Sequence, residues 1–228
     1  MKPAPAPMPR ANPGPTGVKP SSPSRHQLRR AALRFVIVLA LIYAALVVPW
    51  PGWSAAYTRL YHVSFNALLG EFDGARIRFR LPPTPQKWPM DTEITFQARP
   101  PGGTVGGTLH SARITGYVPT IEVIALVLAT PVATRRRVLA LLWGLMLVHA
   151  FVFARVLVVV VYTLSQPAEW ALYSPKGLWR GLLDAAFEQV AISTAGTFVV
   201  PVLIWAAVTI RWSDIERLLH LLSPPCEA

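Results

Sequence analysis

Apolar residues in this chain fall into runs of two kinds: long ones without interruption, and short ones that alternate with polar residues. AALRFVIVLALIYAALVVPW, at about 31–50, is long enough to cross a bilayer as a helix. Pro49, Trp50, Pro51 and Trp53 close it with aromatic residues of the kind that gather at membrane interfaces. Three more runs follow: YVPTIEVIALVLATPVA at 117–133, VLALLWGLMLVHAFVFARVLVVVVYTL at 138–164, and AAFEQVAISTAGTFVVPVLIWAAVTI at 185–210. The pattern predicts an α-helical polytopic membrane protein with about four transmembrane helices.

Between the first and second runs the period changes. SAAYTRLYHVSFNALLGEF carries its apolar and aromatic residues at helical spacing. It predicts an amphipathic helix that lies on the membrane surface or packs on the bundle. RIRFRL then alternates strictly, with Ile77, Phe79 and Leu81 on one face and Arg76, Arg78 and Arg80 on the other. DTEITFQAR alternates through Ile94 and Phe96. PPTPQKWP and RPPGGTVGGT read as turns and loops. Residues 72–116 are therefore expected to hold a small antiparallel, extracytoplasmic β element. Its basic face is expected to be the solvated side of a strand; contact with anionic lipid or an acidic partner is the sharper alternative.

The organisation that follows is a disordered, basic, Pro-rich cytoplasmic arm at 1–30 and a first transmembrane helix at 31–50. Next come an extracytoplasmic amphipathic helix and β-hairpin region at 51–116, a three-helix membrane core at 117–210, and a cytoplasmic tail at 211–228. The arm is too long to precede the apolar core of a signal peptide, and no small-residue cleavage site follows VVPWPGW.

Composition narrows the class. Of 228 residues, 53% are hydrophobic and only 14% charged, which is too apolar for an ordinary soluble domain. The formal net charge of +11 resides in the arm and at the ends of apolar runs. That distribution marks membrane topology and contact with membrane lipids, and it excludes a nucleic-acid footprint of basic residues interleaved with aromatics. The single cysteine, Cys226, excludes an intramolecular disulfide, and the five histidines are scattered, so neither a metal nor another cofactor is expected.

Basic flanks set the orientation. Arg29, Arg30 and Arg34 adjoin the first run, Arg135, Arg136 and Arg137 fill the loop between the second and third, and Arg211 and Arg217 follow the last. Four crossings put all three sets on one side, the cytoplasm, with both termini there. Residues 51–116 and 165–185 then face outward.

Within HAFVFARVLVVVVY sits Arg155, 18 residues beyond Arg137 and hence ~27 Å along a helix, just inside the outer interface. The same topology brings Thr120 and Glu122, in the first turns of the second crossing, to that level. It does the same for Asp184 and Glu188 at the start of the fourth. An unpaired charge in lipid costs ~2.5–3.5 kcal/mol on insertion scales, so Arg155 is expected to pair with one of these carboxylates. The result is either a structural ion pair or an outward-opening polar pocket. His149 is expected to be a hydrogen-bonded packing residue.

These residues carry a resemblance. The stretch from 34 to 210 resembles the exosortase/archaeosortase superfamily, most closely the exosortase H type. Members are polytopic membrane proteins thought to act as cysteine transpeptidases on C-terminal sorting tails, with a presumed catalytic set of Cys, Arg and His. GYVPTIEVIALVLATPVATRRR is similar to the family's first motif and basic loop, with Glu122 and Pro131 in the Glu and Pro positions. FVFAR is similar to its Asn-x-x-Arg motif, with Arg155 in the Arg position and Val152 where Asn is expected. DAAFEQ is similar to its His-to-Trp-Gln stretch, with Gln189 in the Gln position.

The Cys position, however, falls on Val118 and the His position at or near Asp184. Cys226 lies on the predicted cytoplasmic side, a bilayer away from Arg155. Thr115 and Thr120 are the hydroxyls flanking the site, with Glu122 the available base. The resemblance thus implies a degenerate member, of the type of membrane protein associated with exosortase H. The expected function is that of a non-catalytic accessory to an exosortase protein-sorting system at the cell envelope, in the bacterial inner membrane. Its expected partner is an active exosortase or a sorting-signal protein, whose basic tail end suits an acidic pocket of Glu122, Asp184 and Glu188. The alternatives are a divergent transpeptidase or protease acting without a Cys nucleophile, and a generic scaffold in envelope polysaccharide export.

Overall fold

The computed structural model describes residues 25–48, 52–72, 74–83, 90–98, 105–166 and 174–210. The expected tail at 211–228, Cys226 included, and residues 1–24 of the expected arm lie outside them. In chain order the elements are α1 (Arg25–Val47), α2 (Trp53–Leu69), β1 (Glu71–Phe72), β2 (Ala75–Arg80), β3 (Thr92–Ala98) and β4 (Val105–His110). A π-helical turn (Arg113–Tyr117) leads into α3 (Val118–Ala129), followed by α4 (Thr134–Leu164) and α5 (Leu178–Ala186). A second π-helical turn (Phe187–Ile192) precedes α6 (Thr194–Thr209).

Among the described residues two helices are long and apolar enough to cross a membrane, α1 from Arg29 and α4 throughout. A third crossing exists if the pair α5–α6, bent by 75°, is one span. Three boundaries differ from the sequence pattern. Helix α1 begins at Arg25, inside the expected arm, because its basic residues continue the helix beyond the apolar run. The run at 117–133 forms only a 12-residue α-helix, but the π turn before it extends the segment to Arg113. The run at 185–210 is not one helix: Ser193 takes an extended ψ of 122°, its hydroxyl accepts from the Gly196 amide, and α6 starts afresh at Thr194.

Helices α1, α3, α4 and α6 form the bundle, with α3 packed against the other three. Close approach of α3 to α4 depends on Gly144, where an added Cβ would lie 2.9 Å from the Val123 side chain. At the end carrying the basic residues, the Trp205 indole donates to the Thr130 hydroxyl at 2.8 Å and stacks on Phe35. Arg136 donates to the Thr209 carbonyl there, and Arg137 to the carbonyls of Thr130 and Val132. At the other end, Arg113 reaches the Val47 carbonyl at 3.2 Å and the Tyr117 hydroxyl donates to the Leu46 carbonyl at 2.9 Å. These contacts register α1, α3 and α6 at the basic end, and α1 against the π turn before α3 at the other.

The β element is a four-stranded antiparallel meander in the order β1-β2-β3-β4. Alternation decides its faces: Ala75, Ile77 and Phe79 are buried while Arg76, Arg78 and Arg80 are exposed, the last paired with Glu93 at 2.9 Å. The basic face is thus the exposed side of the strand, and its central residue, Arg78, stands opposite Thr95. Strand β4 replaces the loop expected for TVGGT. Its two glycines give no β signal, yet Val105–His110 pairs with β3 along its whole length.

The buried face of the sheet packs with α2 against the C-terminal half of α4. Tyr61, Phe65 and Leu69 of α2, Ile77, Phe79, Ile94 and Phe96 of the sheet, and Val152, Val156, Val160 and Leu164 of α4 form one core. Phe65 stacks on Phe153 with ring centroids 6.2 Å apart. At ~1.5 Å per residue, 31 residues make α4 ~46 Å long, more than a ~30 Å hydrocarbon core needs. Its C-terminal half is the part clothed by the sheet and α2.

Candidate functional site

Arg155 lies where the bundle meets the sheet, 2% exposed. It projects from α4 between Val152 and Val156, both buried, toward the break between α5 and α6. Its Nη1 donates to the Thr197 hydroxyl at 2.9 Å and its Nη2 to the Ala191 carbonyl at 2.8 Å. The second acceptor is available because the chain breaks at Ser193, two residues on, so the local backbone does not run as a regular helix there. Phe151, one turn back, places its ring 5.7 Å from the guanidinium carbon, a cation–π contact. The fork is met by a hydroxyl, a carbonyl and an aromatic face.

The carboxylates expected around it are elsewhere. Asp184 bonds Arg180, four residues earlier on α5, and that arginine also reaches the Ser165 carbonyl and lies over Tyr162. Glu188 is exposed. Glu122 sits deeper. Its segment starts at Arg113 rather than Tyr117, so Glu122 is nine residues in, ~14 Å from the start. Among the described residues none of the three carboxylates comes within ion-pair distance of Arg155, and the expected acidic pocket does not form.

The early helix start has a specific cause. The Asp91 carboxylate, just before β3, accepts from the amides of Ala112 at 2.7 Å and Arg113 at 3.3 Å, and Ser111 accepts from Ile114 at 3.2 Å. An anion on the first free amides of a helix is favoured by both the hydrogen bonds and the helix dipole. His62 of α2 bonds the Thr92 hydroxyl at 3.0 Å, which in turn donates to Asp91. This chain of bonds locks α2, β3 and the start of the π turn together.

Two residues that the sequence pattern did not single out join Arg155 instead. Tyr61 comes from α2 and is 3% exposed. His110 ends β4, paired with Thr92 on the buried face of the sheet. The Tyr61 hydroxyl, His110 Nε2 and Arg155 Nε are all closed off from solvent, and none has a protein hydrogen-bond partner. Tyr61 and His110 both feel the Arg155 charge. Burial, reinforced by that charge, pushes the His110 imidazole down to about 4, so at neutral pH the ring is uncharged and presents one donor and one acceptor nitrogen. Three dissimilar groups, a phenol, a neutral imidazole and a guanidinium edge, thus gather under the sheet. Such a set suits hydrogen bonding to a polar group with both donor and acceptor character.

Val118 is apolar, and the Thr120 hydroxyl donates to the Gly116 carbonyl at 2.7 Å, one turn back along its own helix. His149 is exposed and bonds the Leu145 carbonyl at 2.8 Å, a local contact on the surface of α4. Among the described residues no cluster of His, Cys, Asp and Glu is arranged to hold a metal ion. Comparison with protein-family models, with curated proteins and with solved structures finds no match.

Proposed function

We propose that this chain is a non-catalytic, exosortase-like integral membrane protein that serves as an accessory to an exosortase protein-sorting system at the cell envelope. In this reading α1, the Arg113–Ala129 segment, α4 and α5–α6 make four crossings of the bacterial inner membrane. Both termini are cytoplasmic, and the sheet faces outward. Supporting the four crossings, 17 residues from Arg113 to Ala129 at ~1.5 Å each reach ~26 Å, close to the hydrocarbon thickness.

The observation that carries the non-catalytic reading is how the arginine is used. Both its Nη atoms are committed to Thr197 and Ala191, and the hydroxyl nearest the family's nucleophile position is committed to Gly116. A nucleophile needs a base within hydrogen-bond reach, and Thr120 instead spends its proton on a carbonyl. The sheet over the site is the surface offered to an outward partner, an active exosortase or a sorting-signal protein.

One observation favours a second reading, a divergent transpeptidase or protease of the same superfamily. His110 stands beside Arg155, although the linear motif put the family's histidine near Asp184. The test is expression with an active exosortase and a reporter bearing a sorting tail. The accessory reading expects co-purification with the exosortase and a changed processing rate that depends on the sheet. Loss of both would remove the reading.

A further inference from the structure

At the basic end of the bundle, on the opposite side from Arg155, a cleft of about 440 Å³ opens between α1 and the junction of α3 with α4. Its rim is Arg30, Arg34 and Arg137, and its floor is Phe35, Val38 and Leu128. None of its lining residues is acidic. The volume is that of a small-molecule site. We propose that this cleft binds the headgroup of an anionic phospholipid, with the phosphate held by the three arginines and an acyl chain leaving along α1.

The cleft is strongly basic. Arg30 and Arg34 are four residues apart, neighbours on one helix face, and like charges at that spacing repel each other. Arg137 adds a third positive charge from α4. Two of its donors are fixed: Nη2 serves the carbonyls of Thr130 and Val132, which anchors the guanidinium beside the cleft. A phosphodiester offers these arginines a compact anion with several acceptor oxygens, and guanidinium forks suit it.

Arg34, Val38 and Leu41 continue along one face of α1, and Leu41 is 66% exposed. A bound phosphate therefore has an apolar track leading from it toward the middle of a helix long and apolar enough to cross a membrane. A free phosphate would use the arginines and ignore that track. Basic pockets between transmembrane helices at the cytoplasmic face are where anionic headgroups lodge. The proposal rests on α1 and α4 crossing the bilayer.

The experiment uses the full chain in mild detergent and native mass spectrometry, with phosphatidylglycerol, phosphatidylcholine and inorganic phosphate as separate probes. Resistance of the chain to carbonate extraction from membranes checks the crossing independently. Phosphatidylglycerol is expected to be retained and phosphatidylcholine lost. Arg34→Gln is expected to lower retention roughly tenfold, the equivalent of one charge-assisted hydrogen bond. Val38→Trp, which fills the floor and leaves every arginine in place, is expected to lower it as well. Arg29→Gln, an exposed neighbour that does not line the cleft, is expected to change nothing. Unchanged melting temperatures show that the variants fold. Retention insensitive to both Arg34→Gln and Val38→Trp overturns the proposal. So does an equal loss with Arg29→Gln, which means diffuse surface attraction, and so does displacement by inorganic phosphate, which means a free-anion site.

Discussion

Arg155 and Thr197, 42 positions apart, are joined by a 2.9 Å hydrogen bond that fixes the start of α6 against α4. A companion bond, from Arg155 to the Ala191 carbonyl, exists because the helical ladder is interrupted at Ser193. A continuous helix from 185 would have satisfied the Ala191 carbonyl within itself, and Arg155 would have lacked its second acceptor. Removing the side chain as Arg155→Met should therefore leave a buried hydroxyl and a buried carbonyl without a partner. Thermal unfolding in detergent is expected to show a loss of about 3 kcal/mol. Arg155→Lys keeps the charge but not the fork, and should recover only part of that loss.

The sheet is held to α4 by its buried aromatics. Phe96 has no exposed surface and belongs to the core shared with Val156 and Val160. Phe96→Ala should cost about 3–5 kcal/mol locally. Limited proteolysis is expected to cut 72–110 of the variant first, while the helices of the bundle stay protected. Uniform digestion of the whole chain would mean that the sheet and bundle are one cooperative unit.

His110 predicts a pH dependence. Its folded value of about 4 lies below the unfolded value of ~6.5, so the unfolded chain binds the proton more readily. Its contribution to stability is present above pH ~6.5 and is lost as pH falls through the window from ~6.5 to about 4. The loss is on the order of 3 kcal/mol, converted at 1.36 kcal/mol per unit. Melting curves of wild type and His110→Gln, recorded between those limits, should converge at the acid end.

Gly144 sets the distance between α3 and α4. Gly144→Val places branched carbons where Val123 already sits, and overpacking of this kind costs about 1–3 kcal/mol. Val123→Ala in the same chain should return part of the loss. A double-mutant cycle on the melting temperature measures that coupling.

The legible part of the fold was the part with a period or with an unbroken apolar run. Helix α2 and strands β2 and β3 are visible in the spacing of their apolar residues, and the two long helices in their uninterrupted runs. Strand β4 was not, because Gly106 and Gly107 supply no side chains to alternate. The start at Arg113 was hidden because its cap, Asp91, is 22 residues away in sequence. The break at Ser193 lay inside an apolar run that reads as one helix. The site was legible only at Arg155. A charge in an apolar run marks itself, whereas His110 and Tyr61 look like any other histidine and tyrosine until the sheet folds over α4.

Cleavage of a sorting-tail reporter by this protein alone, in cells without any exosortase, tests the central claim most directly. The account predicts that no cleavage product appears, with or without Arg155. Cleavage that is abolished by Arg155→Lys or His110→Gln, in variants that still fold and insert, would contradict it and make the cluster under the sheet an active site.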